Sequence, residues 1–189
     1  MGAAVASRPL RADAQRNYDR IVEVASDAFA ERGVLTSLDD IACRAGVGPG
    51  TLYRHFPTRD GLIAAALGDS LDRLEALSTK LTASDDPAAA LDEWMLALAN
   101  HLRTYDNLPE SIAQAFRTDD SPLRNSCRPL TDTTAVLVAR AKEAGAIRDD
   151  VDSRDLFALV SSVAWASQRR RDSDAGLERM LALATSGIH

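Results

Sequence analysis

Residues 41–59, IACRAGVGPGTLYRHFPTR, constrain the chain more than any other stretch, because they set two helix signals on either side of a turn. Leu38, Ile41, Ala42 and Ala45 recur at helical spacing, Gly46 is placed to stop that helix, and Gly48 with Pro49 can cap and open the next. Two short helices separated by about four residues are the layout of a helix-turn-helix. The second helix of such a unit enters the major groove of DNA.

The charge pattern agrees. This stretch holds Arg44, Arg54, Arg59 and His55 and no acidic residue, in a chain of 189 residues whose 22 Lys/Arg and 28 Asp/Glu leave a net charge of −6. Residues 1–60 carry eight groups of each sign, and residues 61–189 carry 14 basic against 20 acidic groups, so the whole excess lies outside the first part. A sequence-blind nucleic-acid coat would be basic overall. A small docking face on an acidic body repels phosphate everywhere except at that face.

Helical stripes account for the rest. Tyr18, Ile21, Val22, Ala25, Ala28 and Phe29 form one apolar face of a helix over residues 13–32, which Gly33 ends. Residues 1–12, with Arg8 and Arg11, read as a flexible arm. Ser37 with Asp40, or Thr36 with Asp39, supplies a capping box for the helix at Leu38. Pro57 breaks the second helix of the pair, and Thr58 caps one long helix over residues 59–81, a mechanical link between the two halves. Asp85 or Asp86 then caps a helix opened by Pro87 and ending near Tyr105, and a short helix follows over residues 109–116. Ser121 and Pro122 open another that runs to Lys142, with a kink or break at Pro129 and a stop at Gly145. Helices over residues 153–170 and 174–185 complete about nine, and nothing alternates as a strand would. The expected fold is all-α, with a three-helix helix-turn-helix domain over residues 1–57 and a second helical domain over residues 58–189.

Several classes are excluded. Apolar runs such as residues 62–67 fall far short of the roughly 20 residues of a membrane span, and the N-terminus lacks the apolar block of a signal peptide. The expectation is a soluble cytoplasmic protein with no membrane contact. Cys43 and Cys127 show no CxxC or Cys/His spacing, so neither a disulfide framework nor a metal site is expected. Three histidines, at 55, 101 and 189, do not supply a convergent nucleophile, base and acid, so the chain is not an enzyme. The glycine run GVGPG follows a helix and lacks a subsequent Lys-Ser/Thr, which argues against a nucleotide, and no cofactor is expected. Arg169, Arg170 and Arg171 sit at a helix C-terminus, where cations favour the macrodipole, and read as a solvated face.

The motifs Ile21-Val22-x-x-Ala25-x-x-Ala28-Phe29-x-x-x-Gly33, Leu38-x-x-Ile41-Ala42-x-x-Ala45-Gly46-Val47 and Gly50-Thr51-Leu52-Tyr53-x-His55-Phe56 together resemble the DNA-binding domain of the TetR family of bacterial transcriptional regulators. The resemblance covers residues 13–67, less than a third of the chain. It implies a homodimer on a near-palindromic operator, whose two reading helices stand about 34 to 36 Å apart. Residues 58–189 are then the expected ligand-binding and dimerisation domain, and the main expectation is a repressor released when a ligand there shifts the long helix and changes that spacing.

Leu52 and Phe56, four apart, should face the helix-turn-helix core and leave Pro49, Thr51, Tyr53, Arg54 and His55 pointing outwards or sideways. Arg54 is the candidate for a guanine edge. Thr51, Tyr53, His55, Thr36, Ser37, Arg44 and Arg59 are candidates around it for the phosphates, and Gly50 lets the backbone approach. Thr36 and Ser37 have capping alone as the alternative role.

For the effector, Trp94, Leu98, His101, Leu102 and Tyr105 would face Phe116, Leu137 and Trp165 across the interior, either as ordinary core or as the pocket of a small apolar or aromatic molecule. His101 needs a polar partner, from the protein or from a ligand. Leu156, Val160 and Val163 point one way while Phe157, Ala164 and Trp165 point others, so this helix needs cover on more than one side. With Leu177, Met180 and Leu181 of the last helix it would build a four-helix dimer interface. Two alternatives stand beside the ligand-responsive reading: a thiol sensor using Cys43, next to Arg44, or Cys127, and a constitutive regulator with no ligand.

Overall fold

The computed structural model describes residues 7–188. Among them lie ten helices and no strand: α1 (Ser7–Arg32), α2 (Leu38–Arg44), α3 (Pro49–His55), α4 (Arg59–Ala66), α5 (Gly68–Thr82), α6 (Pro87–Leu102), α7 (Leu108–Ala115), α8 (Pro122–Glu143), α9 (Ser153–Arg170) and α10 (Asp174–Thr185). Side-chain caps start most of them. Ser37, Thr58, Asp86, Ser121, Asp152 and Ser173 each accept a first-turn backbone N–H, a contribution of about 1 kcal/mol apiece. Ser37, not Thr36, is the cap of α2.

Three boundaries differ from the sequence reading. The first helix begins at Ser7, so residues 7–12 of the expected arm are helical, and Pro9 is tolerated there because first-turn N–H groups have no helical acceptor. Residues 1–6 lie outside the described residues.

The expected long helix over 59–81 is divided at Leu67, and that division makes the tenth helix. The Ser70 and Leu71 N–H groups both bond Leu67 O, and the carbonyl of Ala66 takes the hydroxyl of Tyr105 at 3.3 Å instead. An acceptor satisfied from outside, next to the poor helix former Gly68, is enough to interrupt the ladder. Pro129, in contrast, does not break α8, whose buried face of Leu123, Cys127, Leu130, Leu137 and Val138 is packed on both sides of it.

The core is continuous. Ile21, Ala25, Ala28 and Phe29 of α1 meet Ile41, Ala42 and Ala45 of α2, Leu52 and Phe56 of and after α3, and Leu62 and Ile63 of α4. In the C-terminal part α6 is central, packed on α5, α8 and α9, with Leu91, Trp94, Met95, Leu98 and Leu102 buried.

The two parts are joined at defined points. Val34 N–H donates to Asp106 O at 2.9 Å, and Phe29 meets Tyr105 edge-on at 5.8 Å. Gly33, at φ +79°, makes this approach possible, because a Cβ there would stand 2.7 Å from Asp106 O.

Candidate nucleic-acid interface

Six of the eight expected dimer residues are not at the surface. Leu156, Val160, Val163, Ala164, Leu177 and Leu181 are buried inside the protomer, because α6, α8 and α10 of the same chain cover α9. Phe157 packs on Phe116 at 6.2 Å and is half-buried, as is Met180.

Helix α3 is built to present one face. Gly48 holds an extended conformation before Pro49, the first helical residue. Leu52 and Phe56 turn into the core, and the ring of Tyr18 on α1 lies 4.9 Å from Phe56 and 6.2 Å from His55, bracing the end of the helix. Pro49, Gly50, Tyr53 and Arg54 are exposed, Tyr53 at 45%, and Thr51 and His55 are half-buried beside them. An aromatic hydroxyl, a guanidinium, a threonine and a histidine therefore share one projecting surface, the mixture of donors and acceptors that base edges and phosphates require.

Other expected contacts are committed elsewhere. The hydroxyl of Thr36 is buried and donates to Gly33 O at 2.8 Å, so it closes its own turn and does not face a phosphate. Ser37 is exposed and caps α2 through the Asp40 N–H at 3.4 Å. Arg44 forms a two-pronged pair with Glu31 at 2.8 and 3.2 Å, a hydrogen bond that holds the Glu31 carboxyl below the usual carboxylate range. Arg59 donates to Val34 O at 2.8 Å and Thr36 O at 2.5 Å, tying the start of α4 to the turn before α2.

Arg16 pairs with Asp13 and Arg32 with Asp40. Among the arginines of this half from Arg16 onwards, whose side chains are described, Arg20 and Arg54 remain with no acid or carbonyl partner. Arg20 was legible in the sequence only as one of several arginines, yet its Nη2 lies 3.7 Å from where a Cβ on Gly46 would stand, over the turn between α2 and α3.

Of the expected effector residues, Trp94, Leu98, Leu102, Tyr105 and Leu137 are buried core and Phe116 is half-buried. Trp165 is not interior. It is 42% exposed, donates to Glu110 and lies under Arg169. His101 is 3% exposed and shares a 2.8 Å hydrogen bond with Ser70, while its Nε2 has no protein partner. Burial, with a smaller effect of Arg73, lowers its pKa to about 4, so the ring is neutral. A cleft of about 70 Å³ opens between α5, α6 and α8, lined by Leu71, Leu74, Trp94, Ser126, Pro129 and Leu130 among others.

Residues 21–66 match the model of the tetR family of bacterial regulatory proteins, and residues 86–189 match the SbtR-like transcriptional regulator C-terminal domain. The chain belongs to the TetR family. Proteins of this family are DNA-binding transcriptional regulators and not enzymes. Its relatives include the HTH-type transcriptional repressor Rv3405c of Mycobacterium tuberculosis, 37% identical over 118 residues that cover 60% of each chain. The chain thus spans 60% of the length of that relative. The HTH-type transcriptional repressor KstR2 of Rhodococcus jostii is 30% identical over 159 residues, 79% of this chain and 76% of that one. Among solved TetR structures, the regulator SCO0520 of Streptomyces coelicolor superposes with a TM-score of 0.59 at 33% identity, covering 91% of this chain and 98% of the other. No described helix is long and apolar enough to cross a membrane.

Proposed function

We propose that the protein is a repressor that binds a near-palindromic operator as a homodimer and leaves it when a small apolar effector occupies the C-terminal part. The observation that carries the DNA half is the projecting face of α3, with Tyr53 and Arg54 exposed and Leu52 and Phe56 locking the helix from behind. Arg54 reads a base edge, and Thr51, Tyr53, His55 and Arg20 hold phosphates on either side. Residues 1–57 act as the reading domain and residues 58–189 as the sensing and pairing domain. Selection of duplexes from a random pool, followed by gel-shift titration at moderate salt, tests this, and failure to enrich any sequence would end the reading.

The effector site is the cleft between α5 and α8, where Leu71, Leu74, Pro129 and Leu130 present apolar walls over the indole of Trp94. At about 70 Å³ the cleft is well below the roughly 300 Å³ of an ordinary ligand pocket, so an apolar chain or ring enters it by parting α5 from α8. A thermal-shift screen of fatty acyl, sterol-like and aromatic compounds, followed by operator release, tests it. A panel in which nothing raises the melting temperature supports a constitutive regulator.

The pairing surface is the outward side of α9 and α10. Ala158, Ser162, Ala182 and Leu183 are exposed there, Leu183 at 77%, and small residues let two helix pairs approach closely.

The thiol-sensor reading is disfavoured by two observations. Burial pushes the Cys127 thiol up to about 12, so it stays protonated and unreactive. Arg44, the cation beside Cys43, is held by Glu31.

A further inference from the structure

Ser121 serves two helices with one oxygen. Its Oγ donates to Asp60 Oδ2 on α4 at 2.6 Å, and the same atom accepts the Arg124 N–H at 3.3 Å, closing the first turn of α8. Ser121 is 4% exposed, so water does not readily replace either partner. The residue after it continues the contact, since Pro122 Cγ lies 4.0 Å from the position a Cβ on Gly61 would take, and α4 and α8 meet there with no side chain on the Gly61 side. Beside Asp60 in sequence, Arg59 grips the carbonyls of Val34 and Thr36, immediately before the cap of α2.

On the other side, α8 carries Ser126, Pro129, Leu130 and Thr133 along the cleft. Pro129 has no N–H for the carbonyl of Asn125, so the segment that bears Ser121 is joined to the rest of α8 by one bond fewer.

We propose that Asp60 and Ser121 are positioning residues for DNA binding: they strap α4 to the start of α8, and Arg59 carries that setting to the α1–α2 turn. The inference rests on the reading of the α5–α8 cleft as the effector site, because it makes α8 the element an effector displaces. The hydroxyl cannot follow a rotated α8 cap and keep Asp60, so displacement releases α4. With the strap broken, α4 samples more orientations, a smaller fraction of molecules holds the spacing an operator needs, and apparent affinity falls by that fraction.

The test uses the full chain with Ser121→Ala, Asp60→Ala, the double variant and Ser121→Thr, and operator DNA selected from a random pool. Each of the first two lowers operator affinity about tenfold, as expected for loss of a hydrogen bond to a charged group. The double variant loses no more than the larger single, and Ser121→Thr, which keeps the hydroxyl, binds as the parent does. Amide hydrogen exchange, which needs no DNA, speeds up over residues 38–41 as well as 61–63 in both single variants, with α10 unchanged. Additive losses, unchanged affinity, or faster exchange confined to residues 60–63 and 121–125 would overturn the strap. If no operator is selected, the functional reading fails, and exchange at residues 38–41 alone decides for or against the strap.

Discussion

Arg20 and Arg54 should fail in different ways when removed, because one lies over the turn between α2 and α3 and the other projects from α3. Arg54→Ala is expected to cost about 1 to 3 kcal/mol on the selected operator and to relax preference at one base pair. Arg20→Gln should weaken all duplexes alike and reduce the slope of log affinity against log salt by about one. Titrations against operator and scrambled duplex at four salt concentrations separate the two, and identical behaviour would remove the distinction. His101 gives a second expectation. Its folded pKa of about 4 lies below the ordinary value of 6.5, so the neutral ring contributes stability in full above pH 6.5. That contribution shrinks as pH falls towards 4, by about 3 kcal/mol at 1.36 kcal/mol per unit. Urea midpoints of the wild type should therefore drop further between pH 7 and pH 4.5 than those of His101→Leu, and equal drops would absolve the histidine. Residue types on the reading helix were legible because spacing alone assigns its faces. The fates of Arg44 and Arg59 were not, since their partners, Glu31 and the carbonyls of Val34 and Thr36, lie 13, 25 and 23 residues away.

At the level of elements, local chemistry spoke clearly wherever a cap or a stop was local. The ends of α9 and α10 and the Gly48-Pro49 start of α3 follow from residues within one turn of them. The division of α4 from α5 does not, because its cause, the Tyr105 hydroxyl on Ala66 O, comes from 39 residues away. Two glycines test this account in opposite directions. A Cβ on Gly68 would meet nothing within 4 Å, so Gly68→Ala should stabilise by about 0.5 to 1 kcal/mol and raise the melting temperature. Gly33→Ala has both a left-handed backbone and Asp106 O at 2.7 Å against it. It should destabilise by about 1 to 3 kcal/mol, with the loss concentrated where the two parts join. Calorimetry of the pair decides, and a stabilised Gly33→Ala would refute the close approach.

For the whole molecule, the sequence showed that α9 was apolar on several sides but not what covers them. Stripe width reports a need for burial, and here three helices of the same chain meet most of it. What is left outward is smaller and more polar than the expected interface, with Leu183 its most exposed large apolar side chain. Leu183→Arg should therefore halve the sedimenting mass at micromolar concentration without lowering helix content, and a persisting dimer would place the pairing surface elsewhere.

The chain has two tryptophans, and the fold has put them in opposite surroundings. Trp94 is sealed at the cleft with its Nε1 on Thr134 at 2.9 Å, and Trp165 stands 42% exposed between Glu110 and Arg169. One should emit to the blue and resist acrylamide, and the other should emit to the red and be quenched. The molecule thus carries an intrinsic two-colour gauge, in which the blue component follows the cleft and the red component follows the α7–α9 surface, without any dye.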